Sequence, residues 1–230
     1  SFCSARPPCA ARISASYPST GILMLTADET QVAVKTALRA GAREYLSKLT
    51  EMDRVATAIL DVAARRDARA PDRGTGFIWS FYGTKGGAGT TTLAINTAVA
   101  LARLRHKVLL VDLDLLHGDC GFYLDMPQRR SGGRLLAELE ELEAVDAEKV
   151  ELAVRRWQPG AGEGLELWLL ESPGALVAQG PRTEANLTLL LEFLASLYDY
   201  VIVDLPPGRL LEPAAVPVLD LSERLFLVHN

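Results

Sequence analysis

The residues whose types and spacing could do chemistry begin with an unbroken run, Thr84-Lys85-Gly86-Gly87-Ala88-Gly89-Thr90-Thr91-Thr92. Glycines at this density let successive backbone N–H groups converge on an anion, and a helix starting at the end of the run adds its partial positive charge. Lys85 supplies a full cation, and the Thr91 hydroxyl stands where a hard divalent cation would be held beside a phosphate. Three carboxylates lie further along: Asp112 and Asp114 after the apolar run Val108-Leu109-Leu110-Val111, and Asp204 after Val201-Ile202-Val203. Open parallel sheets bind ligands at the carboxyl ends of their strands, which is where all of these residues fall.

The elements that must position them are legible. Phe77-Ile78-Trp79-Ser80-Phe81-Tyr82 is aromatic and β-branched, which predicts a strand running straight into the glycine loop. Thr91 to Leu104 reads as a helix with Leu93, Ala94, Thr97, Leu101 and Leu104 turned inward. Strand, glycine loop and helix in that order form the context of a phosphate-binding P-loop. Lys107 to Asp114 and Tyr198 to Gly208 each carry a buried strand, Gly164 to Leu170 carries another, and Thr183 to Leu197 reads as a helix. The resulting expectation is an α/β fold, a parallel sheet flanked by helices.

The segment Lys85-Gly86-Gly87-x-Gly89-x-Thr91 resembles the deviant Walker A loop of the ParA/MinD superfamily. That resemblance implies ATP and Mg2+ as cofactors, with Thr84 through Thr92 around the nucleotide. It implies Thr91, Asp112 and Asp204 near the metal, with Asp204 as the Walker B carboxylate acting through water. It also implies Asp112 and Asp114 as the acidic pair that orients attacking water and supports the metal region. Lys85 would be the residue that reaches a partner's nucleotide across a homodimer. Two positions depart from the pattern: Thr84 replaces the usual first glycine, and Thr90 replaces the lysine before the final threonine. A hydrogen bond to a charged group contributes about 1.5–3 kcal/mol, so loss of that lysine would weaken ATP binding roughly tenfold to a hundredfold. Loss of a group that stabilises transition-state charge costs about 10²–10³ in rate. Nucleotide binding with feeble turnover is therefore expected.

Asp112-Leu113-Asp114-Leu115-Leu116-His117-Gly118-Asp119 and Tyr123-Leu124-Asp125-Met126-Pro127 resemble the TadZ/CpaE pilus-assembly branch. Its members pair an atypical receiver domain with a ParA/MinD-like domain, dimerise, and work at a cell pole with other proteins of the Flp/Tad type IVb pilus. The first block fits that pairing. Strand Gly21–Thr26, helix Glu29–Ala40, strand Glu44–Lys48 and helix Met52–Ala64 resemble the second half of a receiver domain of flavodoxin-like fold. Thr26 and Lys48 match its switch residues. Leu49 stands where receivers have proline, and residues 1–20 contain no Asp or Glu to accept phosphate. The resulting division is an atypical, partial receiver-like domain over 1–70, a polar linker over 71–76, and a nucleotide-binding domain over 77–230. The resemblance further implies that the adenine pocket lies beyond residue 230.

Composition narrows the alternatives. Apolar residues make up 49% of the 230, which is enough for a large core, and the net charge of −5 disfavours nucleic-acid phosphates as partners. Cys3, Cys9 and Cys120 form no C-x-x-C pair, which reads as a reducing cytoplasm without disulfide or zinc. No apolar run reaches the ~18–20 residues of a membrane span. Asp119 reads as turn chemistry, His117 as a loop residue, and the acidic run Leu135–Leu142 as the solvated face of a helix. Three other readings remain: an active partitioning ATPase, a membrane-cycling MinD-like ATPase, and a phosphorelay regulator.

Overall fold

The structure, a computed structural model, describes residues 11, 14–15, 22–26, 30–47, 54–55, 57–58, 76–114, 118–126, 146–157, 167–170, 181–208 and 215–228. The expected boundary at Pro71, most of the Met52–Ala64 helix, Lys48, His117 and the acidic Leu135–Leu142 run lie outside them.

Among the described residues eight strands form one sheet: β1 (Leu23–Thr26), β2 (Glu44–Ser47), β3 (Phe77–Gly83), β4 (Val108–Asp112), β5 (Arg155–Arg156), β6 (Leu167–Leu170), β7 (Tyr200–Leu205) and β8 (Arg224–Val228). Their order is β2-β1-β8-β3-β7-β4-β6-β5. Every pairing is parallel except β5 with β6. Helices α1 (Gln31–Arg39), α2 (Thr90–Arg103), α3 (Cys120–Tyr123), α4 (Ala147–Ala153), α5 (Pro181–Leu197) and α6 (Ala215–Leu221) complete the described elements.

The central strands are apolar on both faces because both faces are covered. Side chains alternate along β3: Trp79 and Phe81 join Leu93, Ala94, Ala98 and Leu101 of α2, whereas Ile78 and Tyr82 join Leu187, Leu191 and Leu194 of α5 and Val218 of α6. Phe81 stacks on Phe226 of β8 with ring centroids 4.6 Å apart, which adds about 0.5–1.5 kcal/mol beyond the area buried. The buried Ser80 hydroxyl is satisfied by that of Ser222, so β3 carries a polar group at no net cost in lost hydrogen bonds.

One inward assignment is corrected. Leu104 follows the last residue of α2 as its C-cap and is 55% exposed, because the helix stripe ends before its side chain can reach the sheet. In α1, Ala37 is buried while Val32 and Leu38 are exposed, so the buried stripe of this helix is narrow. That helix starts one residue after Thr30, whose hydroxyl accepts from the Ala33 N–H at 3.3 Å, rather than at Glu29.

The two strands of the first block do not lie apart from the rest. β1 pairs with β8 through Met24↔Leu227 and Leu25↔Val228, which places them on the sheet that carries the glycine loop. Gly76, expected at the end of the linker, donates its N–H to the Ala195 carbonyl at the end of α5 (2.6 Å) and so belongs to the folded body.

Candidate functional site

Period-two alternation decides which side chains meet. Asp112 shares the parity of Val108 and Leu110 on β4, and Asp204 that of Ile202 on β7, all on the α2 face of the sheet. The two aspartates are register partners at the carboxyl ends of adjacent strands. The glycine loop leaves β3 at the same end, and α2 returns over that face.

The start of the loop is tied down by backbone bonds. Thr84 N–H donates to the Val228 carbonyl (3.0 Å), and Gly208 N–H donates to the Gly83 carbonyl (3.1 Å). The Pro206-Pro207-Gly208 turn after β7 thereby braces the loop after β3. Gly87 and Gly89 have φ of +71° and +95°, a left-handed backbone that side chains other than glycine rarely adopt. A Cβ built at Gly86, Gly87 or Gly89 meets nothing within 4 Å, so the outer side of the loop is open. Gly89 caps α2 without a side-chain bond, and the N–H groups of the first turn have no side-chain cap in their way.

The expected loop residues separate by burial. Ala88 and Thr90 are buried, Thr84, Gly89 and Thr91 are half-buried, and Lys85, Gly86, Gly87 and Thr92 are exposed. Thr90 is the informative position. Its hydroxyl occupies the space that a Cβ at Gly83 would need, so the residue replacing the usual lysine is folded under the loop.

Thr91 hydrogen-bonds through its side chain to Asp204. Asp112 Oδ1 accepts the N–H of Asp114 and Oδ2 accepts the N–H of Cys120, each at 3.1 Å. Asp112 therefore shapes the segment that follows β4 as well as facing the site. Asp114 is half-buried, two residues along. Asp119 is exposed and precedes α3 without a side-chain capping bond.

Burial governs the charges. It raises Asp204 from 3.8 to about 7 against the opposing pull of the Thr91 bond, with the Asp112 charge raising it further. It raises Asp112 to about 6 against the two backbone N–H bonds. Asp204 Oδ1 is buried and accepts no hydrogen bond among the described residues. A buried carboxylate oxygen in that condition calls for a proton or a cation. With the Thr91 hydroxyl beside it and an open glycine cradle above α2, the donor set fits Mg2+ and a nucleotide phosphate.

Sequence reasoning missed Cys120. Its side chain is wholly buried, and its Sγ lies 3.7 Å from Asp204 Oδ2. Burial, and then the neighbouring Asp112 and Asp204 charges, hold its thiol well above the usual range. The available signal was its position, eight residues past Asp112 and directly after Gly118-Asp119.

The profile of the CobQ/CobB/MinD/ParA nucleotide binding domain matches residues 79–199, which include every site residue up to Cys120 and end short of Asp204. The chain is 31% identical over 147 residues to an uncharacterized ATP-binding protein of Methanocaldococcus jannaschii, covering 63% of this chain and 49% of that protein. It is 34% identical over 126 residues to the chromosome partitioning protein ParA of Myxococcus xanthus, covering 54% and 42%. The chain thus spans about half the length of the curated relatives it matches. Among solved structures, a ParA family ATPase from Chlorobium tepidum superposes with a TM-score of 0.55 at 25% identity, over 67% of this chain and 60% of that one. The septum site-determining protein MinD of Pyrococcus horikoshii, solved with Mg-ADP, gives 0.50 at 25% identity over 66% and 57%.

Proposed function

Because the chain belongs to the CobQ/CobB/MinD/ParA nucleotide-binding family, we propose that it binds ATP with Mg2+ and uses the bound nucleotide to dimerise. In this reading it acts as a localisation factor in Flp/Tad type IVb pilus assembly, with weak or no ATP hydrolysis. The observation that carries the weak turnover is Thr90. The cradle glycines, Thr91 and Asp204 keep the arrangement that phosphate and Mg2+ require, while the position of the charge-carrying lysine holds a buried threonine packed beneath Gly83.

Each residue then has a part. The backbone of 84–91 surrounds the β-phosphate, and Thr91 with Asp204 faces the metal. Asp112 and Asp114 orient water. Bound ATP·Mg2+ supplies the transferable phosphoryl group. Exposed Lys85 is the one cation of the loop, and in this reading it meets a second subunit's nucleotide rather than bracing its own. The pilus assignment is supported by the Asp112–Met126 landmarks and by the strands and helix of the first block. In the proposed setting the protein works in the cytoplasm at a cell pole; no helix of the described residues is long and apolar enough to cross a membrane.

Titration calorimetry with ATP and ADP, beside light scattering and a phosphate-release assay, tests this reading. ATP-linked dimerisation with slow release is expected. Brisk release abolished by Asp204→Ala would instead establish an active partitioning or positioning ATPase. That second reading is favoured by the ParA relatives of Myxococcus xanthus and Caulobacter vibrioides. Salt-dependent retention on DNA would favour it too.

A further inference from the structure

Cys120 takes no part in the nucleotide reading, yet it is buried against both of the site's strand-end carboxyls. Its place is enforced by the backbone. Its N–H donates to Asp112 Oδ2 at 3.1 Å, and its carbonyl accepts the Leu124 N–H at 3.1 Å, closing the single turn of α3. One carboxylate oxygen of Asp112, one of Asp204 and the Cys120 sulfur lie within 4.8 Å of one another, and all three residues are buried. The independent observation is Asp204 Oδ1. It is the second oxygen of the carboxyl whose Oδ2 lies against Cys120, on a residue 97% shielded from solvent, and it accepts no hydrogen bond among the described residues.

We propose that Asp112, Cys120 and Asp204 form a binding site for a thiophilic divalent cation of the Zn2+ or Cd2+ type. The donor chemistry favours that class. Mg2+ takes oxygen ligands in a near-ideal octahedron and keeps several waters, whereas a thiolate beside two carboxylates suits a borderline or soft ion. Zinc bonds of about 2.3 Å to sulfur and about 2.0–2.2 Å to carboxylate oxygen suit three donors already gathered this closely. Three protein ligands leave a fourth position for water. On binding, the thiol S–H bond breaks, its proton leaves to solvent, and the sulfur–metal bond forms. Any proton on the two carboxyls leaves as well, and no electron is transferred. The site uses carboxyls of the proposed nucleotide site but stands on these three side chains alone, without reference to nucleotide.

The test uses the whole chain with Cys3→Ser and Cys9→Ser, so that Cys120 is the single thiol. One equivalent of Cd2+ should produce the ultraviolet thiolate-to-metal charge-transfer band, and calorimetry should find one tight Zn2+. Cys120→Ser should abolish the band and weaken Zn2+ more than roughly 100-fold, beyond what loss of an outer-shell support costs. Asp204→Asn keeps both the thiol and the side-chain shape, and should weaken both ions at least roughly tenfold. Absence of the band in the single-thiol protein overturns the proposal, as does Zn2+ affinity unchanged by either substitution. ATP titration with Mg2+ on the same samples separates the two readings. A Cd2+ band in a protein that binds no ATP overturns the nucleotide reading alone. ATP binding without the band overturns the cation site alone.

Discussion

Asp112 and Asp204 are register partners on adjacent parallel strands, so the sheet holds two carboxyls side by side in its interior. Ionising both in that place costs more than in water, and a bound cation would offset that cost.

Nucleotide binding should therefore depend on Asp204 more than on any exposed residue of the loop. Asp204→Asn removes the charge proposed to face the metal while keeping the shape. Thr91→Ala removes the hydroxyl bonded to it. Each should weaken Mg2+-dependent ATP binding roughly tenfold to a hundredfold, the equivalent of about 1.4–2.7 kcal/mol. Calorimetry with and without Mg2+ checks this, and the effect should shrink when the metal is left out.

The pH dependence follows from the same pair. A carboxyl whose pKa rises on folding holds its proton more tightly when folded than when unfolded. Its contribution to stability is therefore complete below pH 4 and is lost as pH climbs through about 6 for Asp112 and about 7 for Asp204. Thermal melts of the ligand-free chain should fall over that window, and Asp204→Asn should flatten the fall. Binding Mg2+ with ATP should release protons near pH 6.5, measurable by calorimetry in two buffers of different ionisation enthalpy.

Thr90 and Gly83 should behave as a coupled pair. Gly83→Ala places a methyl group where the Thr90 hydroxyl lies, and overpacking of this kind costs about 1–3 kcal/mol. Thr90→Ala in the same chain should recover much of that loss, giving a non-additive cycle in denaturant unfolding. Thr90→Lys is the functional counterpart. If loss of the lysine limits turnover, phosphate release should rise about 10²-fold.

Lys85 is exposed on the loop, so Lys85→Ala should leave the melting temperature within about 2 °C of the parent, as surface substitutions do. It should nevertheless abolish the ATP-dependent increase in mass seen by light scattering. A parallel loss of ATP affinity in dilute monomer would place Lys85 on its own subunit's nucleotide instead.

Much of this site was legible because its cues are local. Val108–Val111 and Val201–Val203 are unbroken apolar runs, as strands buried on both faces must be, and the acids that end them mark the carboxyl edge. The Gly87 and Gly89 backbone follows from residue type. Other features have no local cue. α3 is one turn and β5 is two residues, too short for any periodicity to show. The bond from Gly208 to Gly83 joins turns far apart in the chain, and Cys120 reads as a lone thiol until α3 folds it under Asp112. The position of β1 beside β8 is likewise a matter of tertiary pairing, which strand propensity does not encode.

That pairing sets a timetable for the growing chain. β1 leaves the ribosome before every other described strand, and β8 is the last strand described. Met24 cannot meet Leu227 until nearly everything between them has been synthesised. Until then β1 and β2 can pair with each other but have an open edge, and such long-range parallel pairing is intrinsically slow to form. The same nascent edge is exposed to neighbouring chains on a crowded polysome, so β1 and β2 are where synthesis rate and chaperone protection should matter most.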